Sequence, residues 1–293
     1  MTELLPASTR MGRVSLDVAD LAAQTAFYRD VLLLDVLAEN GPEVHLGRGA
    51  ETLVTLRHRP DLPKGERRSA GLFHTAILHP DRASLAATLA SVAVNTPQLY
   101  TGAGDHLVSQ AFYLDDPEGN GIELYWDRPR SEWSYQNGRV VMDALHIDAN
   151  RFIGEHLTDA AREHLSTAPD RRGVLTGLDG AVGHVHLKVG DAELAKRFYV
   201  DLLGFELTAE WHGAVFVAAG GYHHHMAMNT WRSAGAGFRA PALGLGRVDI
   251  TLPSAEDVAQ AAGRLRAAGT QLRDTGAFVE LDDPWGNVVR LSA

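Results

Sequence analysis

Fourteen histidines and no cysteine set the terms for any chemistry in this 293-residue chain. Histidine ligates metals through a ring nitrogen and moves protons near neutral pH. The missing cysteine removes disulfides, thiolate metal sites and cysteine nucleophiles. Three histidines stand together, His223-His224-His225, behind Gly220-Gly221. On the strand expected there, alternation puts His224 on one face and its neighbours on the other. A metal-binding tract or a solvated surface cluster is the plainer reading of the same three residues. His74 and His184 open the segments HTAILHPD and HVHLKVGD, which align at an offset of 110 and place Asp81 on Asp191. His186 lies two residues beyond His184 and so faces the same side. His106 sits on the loop leading to Tyr113, and a hairpin centred on Glu118 sets Tyr113 across from Glu123. Side chains opposed in that way have Cβ atoms about 5 Å apart.

The elements that hold these residues repeat. Residues 12–37 and 183–207 match without a gap at an offset of 171, so that Gly12, Asp20, Phe27, Tyr28 and Asp30 fall on Gly183, Asp191, Phe198, Tyr199 and Asp201. The alternation from Val185 to Val189 predicts a strand with one apolar face. Asp191 predicts the N-cap of a helix carrying Leu194, Phe198 and Leu202 and ending at Gly204. The first copy has Leu33 at that ending position. Residues 72–89 and 245–262 form a second strand–helix pair. Each is followed by a hairpin signal, Asp115-Asp116-Pro117-Glu118-Gly119-Asn120 or Asp282-Asp283-Pro284-Trp285-Gly286-Asn287. The expected chain is an α+β protein of four βαβββ units beginning near residues 11, 71, 182 and 245. Residues 10–127 hold the first two units and 181–293 the last two. Between them, 128–180 are a linker with one helix around residues 151–161, expected to pack along one domain.

Composition narrows the partners. A formal net charge of -10 argues against a nucleic-acid surface, which would need a basic patch. Hydrophobic content of 45% and charged content of 22% are those of an ordinary globular protein. Residues 1–11 have no apolar signal core, and no run approaches the roughly 18 apolar residues of a membrane span. The expectation is a cytoplasmic protein with no membrane partner. Oligomeric state is open, a homo-oligomer included.

Four such units, with Gly183-His184-Val185-His186-Leu187, Gly71-Leu72-Phe73-His74, the run DPEGNGIELY at 116–125 and Gly221-Tyr222-His223-His224-His225, resemble the vicinal oxygen chelate superfamily. That superfamily includes glyoxalases, bleomycin-resistance proteins and extradiol dioxygenases, and the chain most resembles its catechol 2,3-dioxygenase-like two-domain members. The resemblance covers all but the linker. It implies two glyoxalase/dioxygenase-type domains, each a curved sheet from two units, with metal ligands on the first and last strands. First-strand slots hold Arg13, His74, His184 and Arg247, and the last strands of the second and fourth units hold Glu123 and Arg290. The last-strand slots of the first and third units fall near Glu51 and within residues 223–225. Arginine does not ligate a metal at ordinary pH.

The implied ligand set is therefore His74, His184 and Glu123. Two histidines and a carboxylate suit non-heme Fe(II) with open positions for O2, with Mn(II) as the alternative. His186 is a substitute ligand or a neighbour of the ligands. Because the three come from the second and third units, those units are expected to build the metal barrel together. The familiar two-domain enzymes instead keep their triad in the last two units. The implied reaction is ring cleavage of a catechol-type aromatic diol by O2. The resemblance gives His224 the acid/base role, with a register open to one residue either way, and makes Tyr113 its helper. His186, His223, His225 and His106 are candidate substrate contacts. The alternatives are a glyoxalase-like isomerase or lyase, which wants a further carboxylate ligand, and a non-catalytic small-molecule binding protein. The arginine-bearing cleft of the first and fourth units, where Glu280 opposes Arg290, is expected to be structural or at most to bind an anion.

Overall fold

The computed structural model describes residues 4–168 and 170–293. Among these residues, strands form two eight-stranded sheets and a two-stranded ribbon, with helices packed on the sheets. The chain is α+β and is built from four βαβββ units. In one sheet the strands Gly71–Leu78 and Ala181–Lys188 run antiparallel at the centre. Each is flanked in parallel by the last strand of its own unit, Gly121–Asp127 or Met226–Asn229. The other sheet is centred on Arg10–Val18 and Gly244–Thr251, flanked by Glu51–His58 and Val288–Ser292. The second unit thus shares a sheet with the third, and the first with the fourth. Both sheets draw on both halves of the chain.

Local chemistry explains the repeated elements. Asp20, Asp81, Asp191 and Ser254 each cap the helix of their unit by accepting from a backbone N–H three residues on. Such caps satisfy donors that the first turn leaves orphaned. The helix begun at Ala192 passes into a wider turn over Arg197–Leu202, and Gly204 follows with φ 98. In the first copy Leu33 takes φ 61, a left-handed conformation that costs a side-chain-bearing residue energy. Its side chain is buried, which offsets that cost.

The hairpins recur for a polar reason. Asp116 accepts from Glu118 N, Asn120 N and Asn120 Nδ2, and Asp283 accepts from Trp285 N, Asn287 N and Asn287 Nδ2. Tyr28 and Tyr199, matched in the repeat, donate their hydroxyls to Asp116 and Asp283. Each therefore ties the helix of one unit to the hairpin of the next. A continuous apolar core runs through both sheets.

The linker departs from expectation. It carries two helices, Ala149–His156 and Asp159–Thr167, because Leu157 is extended and Thr158 caps the second by accepting from Ala161 N. It also lies across both sheets rather than along one domain. Arg172 reaches Asp35 at 3.7 Å, while Arg139 pairs with Glu210 at 2.9 Å. The arginine-bearing sheet is salt-bridged throughout its middle. Arg290 donates to Glu280 at 2.7 Å in direct register, Arg247 lies 3.6 Å from Glu280, and Arg13 pairs with Asp249 at 3.2 Å. Among the described residues, no helix is long and apolar enough to cross a membrane.

Candidate metal centre and active site

Strand register explains why three distant residues meet. Ala76 pairs with Glu123 on one side and with His184 on the other, so Glu123, Ala76 and His184 form a row across three strands. His74, two residues before Ala76, shares that face. The small side chain of Ala76 leaves its neighbours room to lean together. Glu123 Oε2 lies 3.0 Å from His74 Nε2 and 3.2 Å from His184 Nε2, and the three ligand atoms all lie within 4.8 Å of one another. Ligands at roughly 2.0–2.2 Å on adjacent positions of an octahedral ion sit about 3.0 Å apart, so the donor atoms fit a divalent cation. All three residues are buried, and His74 Nε2, although 3.0 Å from Glu123 Oε2, is not aligned for a hydrogen bond with it, so a metal bond would satisfy the atom.

Protonation also suits ligation. Burial alone pushes the Glu123 carboxyl upward, but the adjacent His184 and His74 outweigh it and hold it well below the carboxylate range. Burial lowers His184 to about 4, against the upward pull of Glu123. At neutral pH the set is one carboxylate with a neutral His184, the forms that bind metal.

The other sequence slots resolve differently from expectation. By the same register, the third-unit counterpart of Glu123 is Ala227, paired with His186, rather than any residue of 223–225. The first-unit counterpart is Thr55, paired with Ser15, rather than a residue near Glu51. His186 is close, its ring 4.9 Å from that of His74, but its Nε2 is bonded to Asn229 Nδ2 at 2.9 Å. That bond leaves the His186 Nε2 lone pair engaged, so the nitrogen is unavailable to the cluster.

The triad forms part of the wall of a cavity of about 450 Å³, within the roughly 300–1,000 Å³ of small-molecule sites. Phe73, Tyr113, His186, Phe216, His224 and Trp231 also line it. Tyr113 stands opposite Glu123 in register. Burial, then the Glu123 charge, raises its hydroxyl well above the usual tyrosine value, so it stays protonated. His106 Nδ1 donates to the carbonyl of Asp143 at 2.7 Å, which leaves its Nε2 to accept from Tyr113 Oη at 2.7 Å.

The triple histidine sits just ahead of the strand Met226–Asn229 instead of within it. Gly220 and Gly221 both take left-handed φ, 62 and 69, and turn the chain there. A side chain at Gly220 would lie 2.2 Å from the carbonyl oxygen of Ala7. His224 faces the cavity, its ring 4.1 Å from that of His184. His223 and His225 do not line it. His225 Nδ1 accepts from Ala219 N.

His223 instead bridges His224 to Asp127. Asp127 Oδ1 is 2.9 Å from His223 Nε2, and His223 Nδ1 is 2.8 Å from His224 Nδ1. With the carboxylate accepting at Nε2, the His223 tautomer that accepts at Nδ1 has His224 donating from its own Nδ1. His224 Nε2 is left as the unprotonated nitrogen. Burial, then His184 and His223, holds the His224 pKa well below its ordinary value, so the ring is neutral at pH 7. Asp127 was not among the residues singled out from sequence. Its signal was alternation, since Glu123, Tyr125 and Asp127 share one strand face.

Comparison with known proteins agrees with this architecture. The description "Glyoxalase/Bleomycin resistance protein/Dioxygenase superfamily" matches residues 10–124 and 181–291. A catechol-2,3-dioxygenase of Bacillus subtilis (strain 168) is 37% identical over 288 residues, covering 94% of each chain. Among solved structures, a candidate dioxygenase from Bacillus subtilis subsp. subtilis str. 168 superposes with TM-score 0.65 at 13% identity, covering 100% of this chain and 86% of that one. Glyoxalase I from Zea mays does so with TM-score 0.57 at 16% identity, covering 97% and 92%. Identities that low speak to the fold alone. The chain belongs to the glyoxalase/bleomycin resistance protein/dioxygenase superfamily and within it is a catechol-2,3-dioxygenase-like oxidoreductase.

Proposed function

We propose that this chain is an extradiol ring-cleaving dioxygenase acting on a catechol-type aromatic diol, with Fe(II) held by His74, His184 and Glu123. The observation that carries the reading is the convergence of these three donors in one cavity beside His224 and Tyr113. When bound, the divalent ion supplies Lewis acidity and positions at which the diol oxygens and O2 meet; Mn(II) suits the same donors. The ring bond beside the diol breaks, both oxygen atoms enter the product, and the diol supplies the electrons, so no outside reductant is required. His224 Nε2 takes a proton from a diol hydroxyl and returns it during ring opening. Tyr113, with its hydroxyl anchored on His106 Nε2, offers a neutral polar group beside the reacting oxygens. Phe73, Phe216 and Trp231 give the ring an apolar seat and exclude water.

Ala227 weighs against a glyoxalase-like reaction, because its methyl group occupies the position where a second carboxylate ligand would stand. The test is anaerobic loading with Fe(II), then oxygen and a panel of catechols, read by the yellow ring-fission product. Cleavage of at least one diol is expected. Iron bound without cleavage of any diol in the panel would overturn the reading.

A further inference from the structure

One cation in the wall of the cavity has no carboxylate within ion-pair distance among the described residues, although the Asp115 carboxylate on the same wall is near enough to feel its charge. Arg232, on the loop after the strand Met226–Asn229, has no ion pair within 4.0 Å among the described residues. It also lines a second cavity of about 370 Å³, which shares Phe73, Asp115 and Gly121 with the first. The second cavity carries more cations than acids in a chain of net charge -10, with Lys64, Arg67, Lys188, Arg232 and Arg239 around it against Glu66, Asp115 and Glu118. Arg239 is spent on the carbonyls of Gly286 and Leu245. Glu118 is likewise spent, accepting from Ala19 N and Asp20 N. Half-buried Lys188, like Arg232, has no carboxylate within ion-pair distance among the described residues.

Position makes this pair a reader of substrate. The Arg232 guanidinium carbon lies 5.8 Å from the centre of the Phe73 ring, and that ring lies 5.4 Å from the ring of His74. A single aromatic ring therefore separates the unpaired guanidinium from a metal-site histidine. We infer that the preferred substrate is an aromatic diol with a carboxylate on a short aliphatic tether, and that Arg232 and Lys188 hold that carboxylate at the boundary of the two cavities. This rests on the ring-cleaving reading of the metal site. Guanidinium and ammonium groups both donate charge-assisted hydrogen bonds to carboxylate, and an arm that reached them would supply the close carboxylate that neither has within 4.0 Å among the described residues.

The test compares 3-(3,4-dihydroxyphenyl)propionate with its uncharged amide, by anaerobic calorimetry on the metal-loaded protein and by kcat/KM in air. A charge-assisted bond at a partly exposed site predicts a preference of about tenfold for the acid. That preference should shrink with added salt. It should collapse toward unity in Arg232→Gln with Lys188→Met and persist in part in Arg232→Lys. Equal affinity for acid and amide would overturn the inference, as would a preference that survives the double substitution. A second pair, 3-phenylpropionate and its amide, reads the arm without the diol. Failure of both diols to be cleaved would count against the ring-cleaving reading. Failure of both acids to outbind their amides would count against this one.

Discussion

Replacing His79 should make the protein less sensitive to acid, by an amount that follows from its burial. His79 follows the strand Gly71–Leu78 of the metal-bearing sheet, is 3% exposed, and its Nε2 has no hydrogen-bond partner. Burial first, and the charge of Arg48 second, lower its pKa to about 3 from the ordinary 6.5. The unfolded chain therefore takes up a proton below pH 6.5 that the folded chain refuses until about pH 3. More protons on the unfolded state mean that stability rises with pH through this window. The contribution of His79 is complete above pH 6.5, is lost progressively as pH falls, and is gone below about pH 3. Each unit is worth about 1.4 kcal/mol, so acidification from pH 7 to pH 5 should cost about 2 kcal/mol through this residue. Urea unfolding of metal-free wild type and His79→Gln at the two pH values, followed by tryptophan fluorescence, measures the difference. The drop between pH 7 and pH 5 should be smaller in the variant by about 2 kcal/mol. An identical drop in both proteins would refute a His79 held neutral by burial.

His224→Asn should retain iron and lower kcat by about 10²–10⁴-fold, the usual share of a general acid–base group; full activity here with loss in the His225 variant would move the role by one residue. Tyr113→Phe should lower kcat by about tenfold through one lost hydrogen bond, and an unchanged kcat would show that the hydroxyl takes no part. Metal titration should saturate at one divalent ion per chain, because arginines stand in the equivalent positions of the other sheet. A second tight site would show that those arginines do not fill that cleft.

Much of this architecture could be read from periodicity. The matched Asp20 and Asp191 predict helix starts because a capping carboxylate leaves a fixed signature, and both cap as expected. The Glu280–Arg290 contact followed from hairpin spacing alone, as did the opposition of Tyr113 and Glu123. Features made by tertiary contact were hidden. Asp127 and His223 lie 96 positions apart and meet only because the strand that ends at Asp127 and the strand that follows His225 flank the same central pair. The triple histidine was expected on a strand after Gly220-Gly221, yet those two glycines take left-handed φ and the strand starts only at Met226. The split of the linker helix at Leu157 and Thr158 was missed because a capping threonine inside an amphipathic run looks like any other helical residue. Arg232 carries no periodic signal, since its significance is the absence of a partner.

In the proposed reaction one O2 molecule opens an aromatic diol at a metal that His74, His184 and Glu123 would hold. Mass spectrometry of the product formed from catechol under ¹⁸O2 by anaerobically Fe(II)-loaded protein tests it directly, with Glu123→Gln treated identically. A ring-opened product carrying both labelled oxygen atoms, its aldehyde reduced at once to stop exchange with water, is expected from the wild type, and loss of both iron and product from the variant. A product with one labelled atom or none, or undiminished ring opening by Glu123→Gln, would contradict it.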